Sequence, residues 1–375
     1  MEQPRLTIQP VRTPRERREF VAVARAIYPP ESPWVRPLDR ILLGYLDPHR
    51  NPFYRDGVGA AFLAKRGNQP IGRILAHVWR RHHRLHGERA GYFGFFECVD
   101  DSEAATGLLQ AATSVARGEG CEVLRGPFNM TAAQEMGVTT DGFGEMPAVD
   151  MVYTPPWYPS LLQTAGLHPC FRMQTWRNED IDKLDPDAFL SQRHGDLQAA
   201  VGLHVRALSS RRRAADLEHV RGIINAAFLG NWGFVPITRD EWKLQVEPLV
   251  PLLEPELVLL AEVQGVPIGV TFAVPDFNQV LRRMNGRLLH PAALALLRRA
   301  QYKGAVIILI AVRKQYQGLG IIRRLNAELV RTLQRGGYRS LATTWVSTEN
   351  NPSRAQVEAL QMHRLHDLAM YERGL

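Results

Sequence analysis

Cysteine is scarce: three in 375 residues, Cys98, Cys121 and Cys170, odd in number, far apart and without a C-x-x-C pair. That pattern gives neither a disulfide framework nor a metal site, and the three read as small buried apolar residues. No apolar run approaches the roughly 18 residues that a membrane span needs; the longest surrounds Ile307. Met1-Glu2-Gln3-Pro4 opens no signal peptide, so a cytoplasmic protein with no membrane partner is expected. Low-complexity and disorder-prone tracts are absent as well, with 45% apolar and 22% charged residues. Acidic residues are outnumbered, 38 against 46 Lys and Arg, a net charge of +8. Such a balance favours anionic ligands: a phosphorylated cofactor, an acidic acyl carrier, or tRNA.

What the chain does contain is an internal repeat. Leu63-Ala64 is followed after five residues by Pro70-Ile71-Gly72, and Leu260-Ala261 after five residues by Pro267-Ile268-Gly269. Both read as hairpins. In the same order Phe93–Val99 answers to Ile307–Val312, the turn Gly118-Glu119-Gly120 to Arg335-Gly336-Gly337, and Ala165-Gly166-Leu167-His168 to Leu360-Gln361-Met362-His363. The expectation is two tandem mixed α/β domains, residues 1–195 and 196–375. The acidic, Pro-containing stretch Asn178–Asp187 then serves as linker or surface helix start, and Arg80–His86 as a solvated hairpin tip.

The second copy holds the informative stretch. An apolar strand, Gly304–Val312, breaks into Gln315-Tyr316-Gln317-Gly318-Leu319-Gly320 and then into an amphipathic helix with Ile321, Leu325, Leu329 and Leu333 at helical spacing. A strand, a glycine turn and a helix N-terminus leave several N–H groups unpaired with the positive end of the helix dipole behind them, a place to hold phosphate. A P-loop would need Gly-Lys-Ser/Thr where Ile321-Ile322 stand, and a dinucleotide fingerprint a third Gly where Arg323 sits. The first copy is four residues shorter on the match of Val99 to Val312 and carries Asp100-Asp101-Ser102-Glu103 there. An acidic loop repels a pyrophosphate, so one cofactor per chain is expected.

Q-x-x-G-x-G in this setting resembles the acyl-CoA motif of the GNAT superfamily of N-acyltransferases, and the likeness extends over most of residues 203–375. It implies acetyl-CoA or another acyl-CoA as co-substrate. Gln315, Gly318 and Gly320 match the motif, with Gln317, Leu319, Ile321 and Ile322 beside them. The N–H of Val312 is implied as an oxyanion donor and Asn350 as a further cofactor contact, against its reading as a helix cap. The family's thiolate acid does not carry over: Val357 stands where many members have Tyr, and Gln361 where a Gly is usual. The first half resembles a degraded copy, as in other tandem members, and its Gly-, Pro- and aromatic-rich stretch 126–158 reads either as an acceptor-pocket wall or as aromatics packed beneath a surface loop.

N-acylation needs a neutral amine and a route for its proton. The implied topology sets Asn231, Trp232 and Phe234 as acceptor-binding candidates and Asp276 as general base, against a plain turn Asp. Tyr371 is a second catalytic candidate, against a core aromatic; Glu262 reads as solvated. The activity expected is transfer of an acyl group, acetyl in the first instance, to a small-molecule amine. A Fem-like transferase using aminoacyl-tRNA and a non-catalytic CoA-binding protein are the alternatives.

Overall fold

The computed structural model describes residues 4–131, 135–247, 250–286 and 301–375. They pack as two compact units. The first takes the described residues up to 174, 281–286 and 366–375; the second takes 175–280 and 301–365.

The first unit is built from strands β1 (Leu6–Pro10), β2 (Gly57–Arg66), β3 (Gln69–Trp79), β4 (Ala90–Cys98), β5 (Val123–Gly126) and β6 (Val138–Asp141), with helices α1 (Pro14–Ala22), α2 (Asp39–Tyr45), α3 (Arg80–His86), α4 (Ser102–Gly118) and α5 (Tyr158–Thr164). The sheet runs β1-β2-β3-β4-β5 and then takes in the C-terminal strand of the chain, His363–Gly374, which also pairs with β6. α4 presents Ala104, Ala105, Leu108, Leu109, Ala112 and Ala116, a stripe at three- and four-residue spacing, to the core beneath this sheet. The expected hairpin tip 80–86 is instead the helix α3, with His82 buried and its Nε2 3.2 Å from the Tyr92 hydroxyl.

β7 (His168–Asn178) passes from the first unit into the second. The second unit continues with α6 (Gln192–Ala200), β8 (Leu203–Ala207), α7 (Arg213–Phe228), α8 (Arg239–Val246), β9 (Val258–Val263), β10 (Val266–Pro275), α9 (Asn278–Met284), β11 (Gly304–Val312), α10 (Ile321–Arg335), β12 (Ser340–Ser347) and α11 (Asn351–Ala359). The sheet order is β12-β11-β10-β9-β8, and α10 buries Ile321, Leu325, Leu329 and Leu333 in its core. Burying a side chain of that size is worth roughly 1.5–3 kcal/mol, so this helix start is firmly seated.

Asn178–Asp187, read as a linker or surface helix start, belongs with residues 188–190 to the second unit. They form two short 3₁₀ turns whose Ile181, Leu184 and Phe189 enter the core, while Gln334 Nε2 donates to the carbonyls of Ile181 and Leu184. The acidic residues between them face out. Polarity hid three apolar anchors.

The two units share a backbone frame. In the first, Ala64 pairs with Gly72 and Lys65 with Pro70; in the second, Ala261 pairs with Gly269 and Glu262 with Pro267, so each hairpin skips its isoleucine, Ile71 or Ile268. The Val99 amide donates to the Ile71 carbonyl and the Arg313 amide to that of Ile268. These ladders make Cys98, not Val99, the counterpart of Val312, and the first copy is thereby three residues shorter, not four. Gly166 and Gln361 match as well, with φ of 83° and 49°. Gln361 thus adopts the left-handed backbone that a glycine takes more easily.

Candidate functional site

β11 pairs in parallel with β12 only from Gly304–Ser340 to Ile307–Thr343; beyond that the two strands separate. On its other side β11 stays paired with β10 through Val312, with a register shift where Leu309 and Ile307 meet Phe272 and Ala273. Because Arg313 and Ile268 form a hydrogen-bonded pair, the alternation of an antiparallel ladder turns the N–H and C=O of Val312 and Ile310 away from β10, toward the opened seam. Gln317 Nε2 donates to the Val312 carbonyl at 3.3 Å and the Thr344 hydroxyl to that of Ile308 at 3.0 Å, both from the seam side. The residues flanking the seam, 308–310 and 344–347, are half-buried.

At the end of β11 the chain makes a 3₁₀ turn, Lys314–Tyr316, and enters α10 through Gly318 (φ 86°) and Gly320 (φ 68°). Gly320 is the N-cap and has no side chain to cap with. The first helical bond is Arg324 N–H to the Gly320 carbonyl. Among the described residues, the amides of Gly318, Leu319, Gly320, Ile321, Ile322 and Arg323 donate to no group. Six successive free donors at the start of a 15-residue helix form a cradle for a multiply charged anion. Lys314 Nζ donates to the Leu229 carbonyl at 2.9 Å, tying the loop that follows α7 to this turn.

The sequence candidates fall into three groups. Val312, Gln315, Gln317, Gly318, Leu319, Gly320, Ile321 and Ile322 are gathered by the strand-turn-helix itself. Asn231 and Trp232 are exposed on the α7 loop and Phe234 is buried edge-on against Phe228, 5.7 Å between centroids; the Lys314 contact holds this loop to the turn. Asn350, Asp276 and Tyr371 lie otherwise. Asn350 Oδ1 accepts from the Ser353 amide at 3.1 Å, the cap of α11. Asp276 follows β10 at the end paired with the start of β11, its N–H on the Gly304 carbonyl and its Oδ1 taking the Asn278 amide. Eight residues of β11 separate that end from Val312, about 26 Å at the rise of a strand. Asp276 thus sits in the turn between β10 and α9. Tyr371 belongs to the first unit, paired with Gly126 and 2% exposed in its core, and burial holds its phenol above the ordinary value. Val357, at the position of the family's acid, is core.

Glu262, read as solvated, takes a 2.8 Å ion pair from Arg206, which also binds the buried Asp216 through both terminal nitrogens.

The first unit closes the corresponding features with its own side chains. Its parallel pairing also stops early, at Tyr92–Arg125. The Cys98 amide, counterpart of Val312, donates to the Tyr158 hydroxyl at 3.0 Å, Trp157 Nε1 donates to the Cys98 carbonyl at 3.0 Å, and the Phe95 amide donates to Asn129 Oδ1 at 2.6 Å. The aromatic stretch therefore plugs the seam. The connection from strand to helix is Val99–Asp101 alone, and Asp101 caps α4 through the Ala104 amide while pairing with Arg66 at 2.8 Å. A carboxylate already occupies the anion position. Hydrophobicity gave no hint of this plug; the clue was the co-occurrence of Asn129, Trp157 and Tyr158 in a stretch too polar-edged for plain core.

Residues 218–360 match the family model described as the acetyltransferase (GNAT) family. The chain is 28% identical over 316 residues to a protein named bacterial ceramide synthase from Caulobacter vibrioides (strain NA1000 / CB15N), covering 83% of this chain and 82% of that one. It is 25% identical over 363 residues to protein YghO of Escherichia coli (strain K12), covering 95% and 92%. Among solved structures, a tandem GNAT protein from the clavulanic acid biosynthesis pathway aligns over 99% of this chain and 98% of its own, with a TM-score of 0.56 at 13% identity. The chain thus has the fold of the tandem GNAT protein, and the stretch that matches the acetyltransferase (GNAT) family model lies mainly within its second unit.

Proposed function

We propose that the protein is an acyl-CoA-dependent N-acyltransferase whose second unit alone holds the cofactor. One observation carries the reading: six consecutive unpartnered amides, 318–323, continue directly from a strand whose Ile310 and Val312 N–H groups face an opened seam. The cradle suits the pyrophosphate, the seam suits the amide-bearing pantetheine arm, and the Val312 N–H suits the oxygen of a thioester under attack. Gln317, Leu319 and Ile322 flank that path, and Gln315 supports the turn. The loop with Asn231, Trp232 and Phe234 serves the acceptor. A ceramide is the amide of a long-chain base, so the name of the Caulobacter relative favours a long acyl donor and a long-chain amine over acetyl transfer to a small polar amine. tRNA has no role in this reading.

The test is a thermal-shift and thiol-release panel of CoA, acetyl-CoA and palmitoyl-CoA on wild type and Gly320→Glu, with a long-chain amino alcohol as acceptor. The wild type should be stabilised by CoA species and release thiol, with palmitoyl-CoA the better donor, and the Glu variant should lose both. No stabilisation of the wild type by any CoA species refutes the reading; activity only with charged tRNA replaces it with the Fem-like one.

A further inference from the structure

α6 is an odd helix for a core. Gly195 lies within it, Leu197 points outward with 38% of its surface exposed, and Gln198 is its one buried side chain. Gln198 Nε2 donates to the carbonyl of Leu319, 2.9 Å away, inside the turn of six free amides. One turn earlier on the same face, the ring of His194 lies against Gly320: a Cβ placed there would be 2.6 Å from His194 Cγ and 2.8 Å from Cδ2. Apolar burial does not explain why this helix docks; its one buried side chain, Gln198, and the ring of His194 both meet the anion turn. Ser191 Oγ is 2.8 Å from His194 Nδ1. With that hydroxyl donating, Nδ1 is the acceptor and the ring proton sits on Nε2. Nε2 is bonded to Cδ2, one of the two ring atoms closest to a Cβ placed on Gly320.

We propose that His194 is a ligand of the cofactor's pyrophosphate, donating from Nε2–H, and that α6 forms a second wall to the cradle. The inference rests on the acyl-CoA reading above. It gives three neighbouring features one cause: Gly320 is kept free of a Cβ because the ring must lie there, Ser191 sets the tautomer, and Gln198 anchors the helix to the turn. A neutral imidazole with a fixed donor adds one hydrogen bond to a phosphate oxygen, and a protonated one adds charge as well.

Calorimetric titration with CoA, 3′-dephospho-CoA and pantetheine separates the possibilities, using wild type, His194→Ala and His194→Gln. His194→Ala should bind CoA and dephospho-CoA about 10- to 150-fold more weakly, the loss of one hydrogen bond to a charged group. Pantetheine, which lacks the pyrophosphate, should bind all three proteins alike, and His194→Gln, which keeps a donor, should recover part of the loss. Wild-type binding with no change in His194→Ala overturns this inference and leaves the acyl-CoA site standing. Tighter binding overturns it too, making α6 a cover that the cofactor displaces, and equal losses for pantetheine show a disturbed fold. Failure of the wild type to bind CoA removes both proposals.

Discussion

Gly318 and Gly320 both have positive φ, yet they should respond differently to alanine. A Cβ on Gly318 meets nothing within 4 Å, whereas one on Gly320 meets His194 Cγ, Cδ2 and Cβ at 2.6, 2.8 and 2.9 Å. Gly318→Ala therefore incurs the left-handed backbone penalty alone, about 1–2 kcal/mol. Gly320→Ala incurs that plus an overpacking cost of about 1–3 kcal/mol, because the atoms in the way are the root of the imidazole and cannot swing clear without moving α6. Adding His194→Ala removes the two closest atoms and leaves Cβ at 2.9 Å, so about 1 kcal/mol should return on the Gly320→Ala background and none on Gly318→Ala. Urea unfolding of the ligand-free wild type, the single variants Gly318→Ala, Gly320→Ala and His194→Ala, and the two double variants closes two double-mutant cycles. If the two alanine variants lose the same stability, or if His194→Ala fails to couple to Gly320→Ala, the contact between α6 and the anion turn is not there, and the argument for a second wall goes with it.

Arg206→Met should cost about 3–5 kcal/mol, because Asp216, with a side chain only 3% exposed, would be left as an unpaired buried carboxylate; a loss below 1 kcal/mol in urea unfolding would contradict this. Tyr158→Phe should destabilise the first unit by roughly 2 kcal/mol, since the hydroxyl both accepts from the Cys98 amide and donates to the buried Glu97 at 2.6 Å. CoA affinity should be unaltered; a fall in affinity would show the first copy taking part in cofactor binding. His77 is buried, and burial pushes its imidazole down to about 4 from 6.5. Between those values the unfolded chain binds a proton that the native state refuses, so stability present above pH 6.5 is lost as pH falls toward 4, by about 3 kcal/mol. Chemical unfolding at pH 7.5 and 4.5 should show a smaller difference for His77→Gln than for wild type; equal differences would be inconsistent with a buried neutral ring.

The second copy was legible because its signals are local. An apolar strand, two glycines and an amphipathic helix state their own geometry, and Gly318, Gly320 and the Ile321 stripe appear where spacing set them. The repeated Ala-x₅-Pro-Ile-Gly hairpins were legible for the same reason, down to a shared bulge. Misreadings arose where partners are distant in sequence. Asp276 offers a carboxylate near a strand end, but which end of the sheet it reaches is decided by the antiparallel return of β11. Asn178–Asp187 is acidic on average, and only packing against Gln334 and Leu333 reveals Ile181, Leu184 and Phe189 as anchors. His194 is illegible for the same reason: it lies 126 positions before Gly320, and no periodicity links them.

A copy whose strands part still has to satisfy the backbone that lines the gap. Parallel strands that part leave N–H and C=O groups facing a gap, and each such group left buried and unpaired costs about 1–3 kcal/mol. The second unit keeps its gap open, with Gln317 and Thr344 bonded only to the carbonyls of Val312 and Ile308. In the first unit Tyr158, Trp157 and Asn129 take over both kinds of group, and the Asp101 carboxylate caps the helix start. These replacements mimic a ligand in position and in polarity: a hydroxyl and a carboxamide oxygen for strand amides, a carboxylate for helix amides. The acidic loop thus supplies its own carboxylate at the helix start, and opening the first copy would require removing Tyr158, Trp157, Asn129 and Asp101 together, since deleting any one leaves an orphaned amide or carbonyl.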